Sequence, residues 1–403
     1  MSDTAPSGAL GGLEAWHYRV AATAACTFPG LLVRLTGGVP AYPIQLVAYG
    51  AAVVAAAFLL AWACEAAQVD FANGIVVAVV AFVAILPEYI VELHFAFTGR
   101  AEYVTANLTG ASRLLVGFAV AMPAAIALLP ARWRMPRLRN IDLDPAQRVD
   151  LVVLGLAAIW ALRGVFQGQL TLLDSAVLVS LYVLFLRRAG DAGGETPEPM
   201  GVAASLAELP KARRHRWVGG LMLFAASTIL VTAVPFGDAV LGTGAMVGIS
   251  PYLLLQWIVP VATEMPELVV AVVLLTHGRA RQSMAVLLAG AVSQYTLALG
   301  TLPVAYAVGA GTGPLPVQSR ERVELLLTAG VALYAVAALV SLRLSRGDAS
   351  LMLLLFTAQF VLPFGLTRIV TAVIFLALAV DVLIAERVRL RPLIGALRAR
   401  APA

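Results

Sequence analysis

Long apolar runs separated by short polar segments dominate the chain. Runs that reach the length needed to cross a bilayer, about 20 residues, lie at 43–65, 71–98, 102–130, 149–167, 170–187, 217–236, 249–277, 281–309, 322–343, 349–365 and 367–386. Each is predicted to be helical, because a lipid-exposed segment must satisfy its own backbone. A further apolar stretch, 19–37, carries Arg34 and contains Pro29 and Gly30; it is expected to add one helix before the main set. The runs at 71–98 and 249–277 exceed the hydrocarbon thickness, so each must tilt, kink or break.

Composition agrees with a lipid solvent. Of 403 residues, 61% are hydrophobic and only 13% charged, too few polar groups to cover a water-soluble surface. The net charge of +5 does not point to nucleic acid, because the basic residues collect in short loops between apolar runs, where they orient a membrane protein. Arg132, Arg134, Arg137, Arg139 and Arg148 mark one such loop, and Lys211, Arg213, Arg214 and Arg216 end another. Placing both inside puts Arg279, Arg281, Arg343, Arg346 and the tail from Arg387 inside as well, and leaves Arg100, Arg320, Arg322 and Arg368 near the opposite loops. The expected location is a bacterial-type cytoplasmic membrane, with linker 188–216 and the C-terminal tail cytoplasmic. The first sixteen residues hold Asp3 and Glu14 but no Lys or Arg, so no cleavable leader is expected. Cys26 and Cys64 lack metal-ligand spacing.

The chain repeats itself. Pro87-Glu88 recurs as Pro266-Glu267, Val91 as Val270, and Gly99-Arg100-Ala101 as Gly278-Arg279-Ala280, at an offset of 179 residues. Five predicted crossings separate the copies, and an odd number inverts the second copy in the membrane. The expected architecture is an all-α polytopic membrane protein: two inverted five-helix repeats with broken helices at the midplane, plus at least one extra C-terminal helix. Its segments are 1–42, a first repeat 43–187, the Gly/Pro-rich and then basic linker 188–216, a second repeat 217–365, and an extra helix with a basic tail, 366–403.

Interrupted apolar segments at matching positions of inverted halves point to a transport site. Proline lacks an amide donor and leaves the carbonyl a turn earlier unbonded, here near Val83 and Ala262. The neighbouring glutamate adds an anionic oxygen, and the two together suit a hard cation such as Na⁺ or Ca²⁺. Burying a carboxylate in a bilayer costs several kcal/mol, so it needs a cation, a proton or a partner. A structural kink with paired glutamates is the competing reading, and the duplication of the motif weighs against it. No phosphate loop, metalloprotease motif or catalytic triad is present.

At these residues the chain resembles the Ca²⁺/cation antiporter superfamily, which includes Na⁺/Ca²⁺ and Ca²⁺/H⁺ exchangers. Its repeats follow a pattern like G-T-S-x-P-E and then G-N-x-x-G-S-N. The second repeat reads Ala262-Thr263-Glu264-Met265-Pro266-Glu267 and continues with Gly290, Ser293 and Gln294. The first reads Val83-Ala84-Ile85-Leu86-Pro87-Glu88, without the hydroxyls, and continues with Asn107-Leu108-Thr109-Gly110-Ala111-Ser112-Arg113. The resemblance implies a secondary active antiporter exchanging Ca²⁺ or another cation against H⁺ or Na⁺ by alternating access. It implies that Glu88 and Glu267 form the site with Thr263, Glu264, Ser293, Gln294, Asn107 and Ser112 around the cation. The implied partners are inorganic cations, protons and the bilayer, with no nucleic acid and no cofactor beyond the transported Ca²⁺ or Na⁺.

Two charges depart from the pattern. Glu92 lies one helical turn after Glu88, on the same face, and Arg113 lies in the next helix. Arg113 is expected to pair with Glu92 or Glu88, since a lone guanidinium in a bilayer is costly, and so to act as a modulating charge. A membrane-embedded enzyme using Glu88, Glu92 and Glu264 as acid and base, or a non-transporting scaffold, is the alternative; the expected answer is not an enzyme.

Overall fold

The computed structural model describes residues 8–37, 41–70, 85–127, 140–191, 199–311, 313–362 and 364–395. Helices α1 (Gly8–Ala25), α2 (Phe28–Thr36) and α3 (Tyr42–Ala67) precede the first Pro-Glu motif, which opens α4 (Leu86–Phe97). Then come α5 (Ala101–Arg113), α6 (Met122–Ala127), α7 (Arg148–Gln167), α8 (Leu172–Asp191) and the short linker helix α9 (Val202–Ala207). The second half holds α10 (Lys211–Val247), α11 (Pro251–Thr263), α12 (Met265–Thr276), α13 (Ala280–Ser293), α14 (Leu299–Gly309), α15 (Ser319–Leu339) and α16 (Arg346–Val361). Helices α17 (Gly365–Ala385) and α18 (Arg387–Gly395) complete the described chain.

Among the described residues, six helical stretches are long and apolar enough to cross a membrane, and α11 with α12 makes a seventh that is bent by 55°. Helix α10 runs for 37 residues, about 55 Å at 1.5 Å per residue. That exceeds a ~30 Å hydrocarbon core, so it tilts and carries its basic first turns beyond the apolar zone. It packs along α3 through small residues: Ala52, Ala56 and Ala63 have no exposed surface. Such residues let helix backbones approach in lipid, where no hydrophobic force separates helix from solvent.

The repeat is visible in the backbone. Helices α4 and α12 have twelve residues each and start one residue before the Pro-Glu pair. Both end at a left-handed glycine, Gly99 at φ 76° and Gly278 at φ 77°, a conformation that an L side chain resists. Helices α5 and α13 then each run into a π-helical segment, Leu114–Ala119 and Gln294–Ala298. Four short strands close the symmetry. β1 (Asn140–Asp142) pairs antiparallel with β4 (Arg343–Ser345), and β2 (Gln169–Leu170) with β3 (Leu315–Pro316). The strand before α7 pairs with the strand after α15, and the strand after α7 with the strand before α15. A two-fold exchange of the halves maps one pair onto the other.

Two expectations change. The stretch 19–37 is not one helix: α1 ends at Ala25, and Thr27 turns the chain, its hydroxyl donating to the Ala24 carbonyl at 2.7 Å. Helix α2 has nine residues, about 13 Å, too short to span. Arg368, expected near a loop, is 4% exposed in α17. Residues 71–84 of the run 71–98, expected to tilt, kink or break, and the first half of the basic loop 131–148 lie outside the described residues.

Candidate functional site

The bend between α11 and α12 falls at Glu264. Pro266 has no amide hydrogen, so the carbonyl of Ala262 loses its helical donor. The ladder resumes at once on either side: the Glu264 amide donates to the Pro260 carbonyl at 2.8 Å and the Leu268 amide to the Glu264 carbonyl at 3.0 Å. Pro260 likewise frees the carbonyl of Gln256, and Gly110 of α5 lies directly against that oxygen, where a Cβ would collide with it. The freed carbonyl therefore seats one repeat against the other.

This packing gathers polar side chains from both halves. The amide nitrogen of Gln294, the first residue of the second π segment, donates to Glu88 Oε1 at 3.0 Å and to Glu264 Oε1 at 2.8 Å. A π segment adds a residue to the turn and re-aims the side chains beyond it, a device found at functional sites. Glu88 (3% exposed), Glu264 (2%) and Gln294 (0%) are buried. Glu267, in the first turn of α12, is half-buried and within electrostatic reach of Glu88, as are Glu264 and Glu92. One turn along α4, Glu92 Oε1 accepts from Asn107 Nδ2 at 3.1 Å. Both donor hydrogens of Gln294 are thus committed, while Gln294 Oε1, Glu92 Oε2 and Asn107 Oδ1 are buried acceptors with no protein donor.

The remaining candidates sit close in the chain to these. Thr263 donates its hydroxyl to the Val259 carbonyl at 3.1 Å and Ser293 to the Ala289 carbonyl at 3.1 Å, which leaves each oxygen with lone pairs to offer. Ser112 is buried in α5. The carboxylates do not form a closed cage: among the described residues no three acidic, His or Cys side chains stand in metal-holding proximity. Nor does any Lys, Arg or His among them form an ion pair with Glu88, Glu92, Glu264 or Glu267.

Arg113 does not pair with Glu92 or Glu88. Its Nη2 lies 2.7 Å from Glu324 Oε2 in α15. Its Nε donates to the Thr109 carbonyl at 3.0 Å and its Nη1 to Gln359 Oε1 in α16 at 3.1 Å, and its guanidinium lies 5.5 Å from the Trp257 ring centre. Glu324 also pairs with Arg368 of α17 and accepts from Gln256 Nε2 at 2.8 Å, while Arg368 donates to Gln256 Oε1 at 3.2 Å. A helical side chain leans back over the preceding turn, and the Arg113 side chain takes that path past Thr109, into the space between α11, α15 and α16. The sequence analysis places Arg368 near a loop and does not single out Glu324; the signal for both is a charge near the start of an apolar run, 322–343 or 367–386.

A second missed residue is Glu65, within an otherwise apolar run. It is half-buried in α3, accepts a hydrogen bond from the Met200 backbone amide and lies within electrostatic reach of Glu267. Beyond the end of α3, Asp70 is gripped by Arg214, which donates from both Nε (2.7 Å) and Nη2. Asp70 also contacts His215 Nε2 at 3.0 Å. The guanidinium holds the Asp70 carboxyl below the usual carboxylate range, outweighing the effect of burial. Arg214 further donates to the carbonyls of Ala207 and Leu209, so this clasp ties the linker to the start of α10 and the end of α3.

Comparison with known proteins places this geometry. The family model described as sodium/calcium exchanger protein matches residues 42–189 and 217–378, and its two stretches fall on the two halves. Among solved structures, the H⁺/Ca²⁺ exchanger CAX is 32% identical, with a TM-score of 0.89, covering 96% of this chain and 98% of its own. The sodium–calcium exchanger NCX_Mj shares the fold at 17% identity and a TM-score of 0.54, over 80% of this chain and 98% of its own. YfkE does so at 13% identity and a TM-score of 0.60, over 90% and 99%. No curated protein sequence matched the chain.

Proposed function

This chain belongs to the sodium/calcium exchanger protein family, and we propose that it exchanges Ca²⁺ against H⁺ at a mid-membrane site built on Glu88, Glu264, Glu267 and Gln294. The observation that carries the reading is the Gln294 amide held between carboxylates from the two inverted halves, where no cationic side chain among the described residues pairs with either. Such carboxylates require mobile positive charge. In this arrangement the amide hydrogens are the carboxylates' partners. A half-turn of the same amide withdraws both donors and presents Oε1, so Gln294 alternates between bonding the empty carboxylates and joining them around a cation. Thr263, Ser293, Asn107 and the freed Ala262 carbonyl supply further hard oxygens, and Glu92 completes the acidic set.

Protons rather than Na⁺ are the counter-ion in this reading for two reasons. The first repeat has no hydroxyl at the positions before Pro87, so it lacks neutral ligands for several monovalent ions. Replacing one Ca²⁺ by two protons also keeps the site's net charge constant as it alternates between faces, which avoids carrying an extra charge through low dielectric. The relative CAX, 32% identical to this chain, is itself an H⁺/Ca²⁺ exchanger. The test is Ca²⁺ flux in proteoliposomes with pH, Na⁺ and K⁺ gradients imposed one at a time. Uptake driven by the pH gradient is expected; uptake that tracks Na⁺ and ignores pH rejects the proton assignment, and absence of Ca²⁺ flux under every gradient rejects the substrate.

A further inference from the structure

We propose that the groove between α1 and the basic end of α10 binds an anionic phospholipid. The groove has a volume of about 530 Å³ and is lined by Val20, Ala24, Leu221 and Phe224, with Arg213 and Arg216 at its rim. On α10 the lining positions keep helical spacing: Arg213, Trp217, Leu221 and Phe224 lie three or four residues apart, as do Arg216 and Gly220, so they form one stripe. That stripe is cationic at the helix start and apolar over the next two to three turns, the polarity order of a lipid head group and its chains.

Three further observations specify the occupant. Arg214 between the two rim arginines is fully engaged with Asp70 and the linker carbonyls, whereas Arg213 and Arg216 are exposed and form no ion pair or hydrogen bond among the described residues. Among the described residues, no acidic side chain lines the groove, so charge complementarity selects a negative head group. A Cβ built at Gly219 or Gly220 would meet nothing within 4 Å; these glycines are not required by protein packing and leave the floor open. The far wall is rigid. Trp16 is 2% exposed, stacks on His17 at 3.7 Å and meets Trp217 edge-on at 5.1 Å, which pins α1 against α10. A basic pocket between membrane helices at the interface is the setting in which anionic head groups bind.

The test is native mass spectrometry of the full chain in detergent, supplied with equal amounts of dioleoyl phosphatidylglycerol and dioleoyl phosphatidylcholine. The wild type is expected to retain the anionic lipid preferentially. The double substitution Arg213→Gln with Arg216→Gln should lower that preference about tenfold or more, from the loss of two surface cations. Gly220→Leu, which fills the floor but leaves both arginines, should lower retention of both lipids. All three positions are exposed, and a thermal melt of each variant confirms that the fold persists. Equal retention of the two lipids by the wild type, a preference unchanged in the arginine variant, or a second copy of the chain held in place of lipid would overturn the proposal.

Discussion

Two buried polar networks lie a few helical turns apart and differ in one respect. Around Glu324, one carboxylate lies between two guanidiniums: Arg113, Arg368, Gln256 and Gln359 each meet a partner from another helix, although Gln359 Nε2 and Arg368 Nε have no hydrogen-bond partner among the described residues. Around Gln294, acidic groups gather with no cation among the described residues beside them, and three acceptor oxygens have no donor among those residues. Charges cost the same to bury in both places. A network whose charges are paired holds helices in register; in the proposed reading, one without built-in cations is left to mobile ones. Arg113 therefore belongs to the scaffold, joining α5 of the first repeat to α15 and α16 of the second and, through Glu324, to the extra helix α17.

The comparison breaks most sharply at Glu324. Glu324→Gln strands two arginines in the bilayer, and removing one partner of a buried ion pair costs about 3–5 kcal/mol. Thermal unfolding in detergent should show a large fall in midpoint, or failure to purify as a monodisperse species. Glu88→Gln, at an equally buried position, should shift stability by less than about 1 kcal/mol, since it removes an unneutralised charge at nearly constant volume. If the two variants melt alike, the distinction between the networks is wrong.

Function should show the opposite ranking. Glu267→Gln and Glu88→Gln are each expected to lower Ca²⁺ exchange at least ~100-fold while leaving a folded protein, because each deletes a hard anionic ligand. Full flux from either folded variant would reject the proposed site. A variant of the Glu324 network that still folds, such as Gln359→Leu, should keep exchange within about threefold, since the bond it loses, from the Arg113 guanidinium, touches none of the proposed site carboxylates.

Much of this was legible in the sequence because it depends on spacing along one chain. The 179-residue offset aligned the Pro-Glu turns, the left-handed glycines and the starts of the helices after them, and all three coincide in the structure. Glu88, Glu264 and Gln294 were each named as site residues, and their convergence places three of the candidates together. The rest depends on rotation about helix axes. The π segments after Arg113 and from Gln294 each add a residue to a turn and swing the remainder of the helix by roughly 100°, which apolar periodicity does not report. Proximity in sequence assigns Arg113 to Glu92 or Glu88, whereas its anion, Glu324, comes from a helix in the other half of the chain. Glu324 and Arg368 stand near the ends of their runs, and end positions read as interfacial unless the depth of the helix is known. The break at Thr27 was hidden for another reason, since the apolar sequence on both sides gives no periodic signal.

The smallest expected effect concerns a third polar contact, outside the membrane-spanning segments, whose charges are paired like those around Glu324 but which is only part-buried. Asp70→Asn removes the anion that Arg214 and His215 share, and its cost should be on the order of 1 kcal/mol, below that of Glu324→Gln, because the contact is only part-buried and Arg214 keeps its bonds to the linker carbonyls. Its pH dependence has a definite sign. Arg214 holds the Asp70 carboxyl below the usual carboxylate range, so the contact contributes fully above the unfolded value, about 3.9, and is lost only as pH falls through the lower folded value. The wild type and Asp70→Asn should therefore stay separated from neutral pH down through mild acid and converge only in strong acid, as read by melting the two proteins side by side across that range. Exchange at neutral pH should be unchanged, because the clasp ties the linker to the ends of α3 and α10 and touches none of the carboxylates around Gln294. Curves that merge already near neutrality would show that the Asp70–Arg214 pair contributes nothing to holding the linker, and a matching loss of flux would move this clasp from scaffold to mechanism.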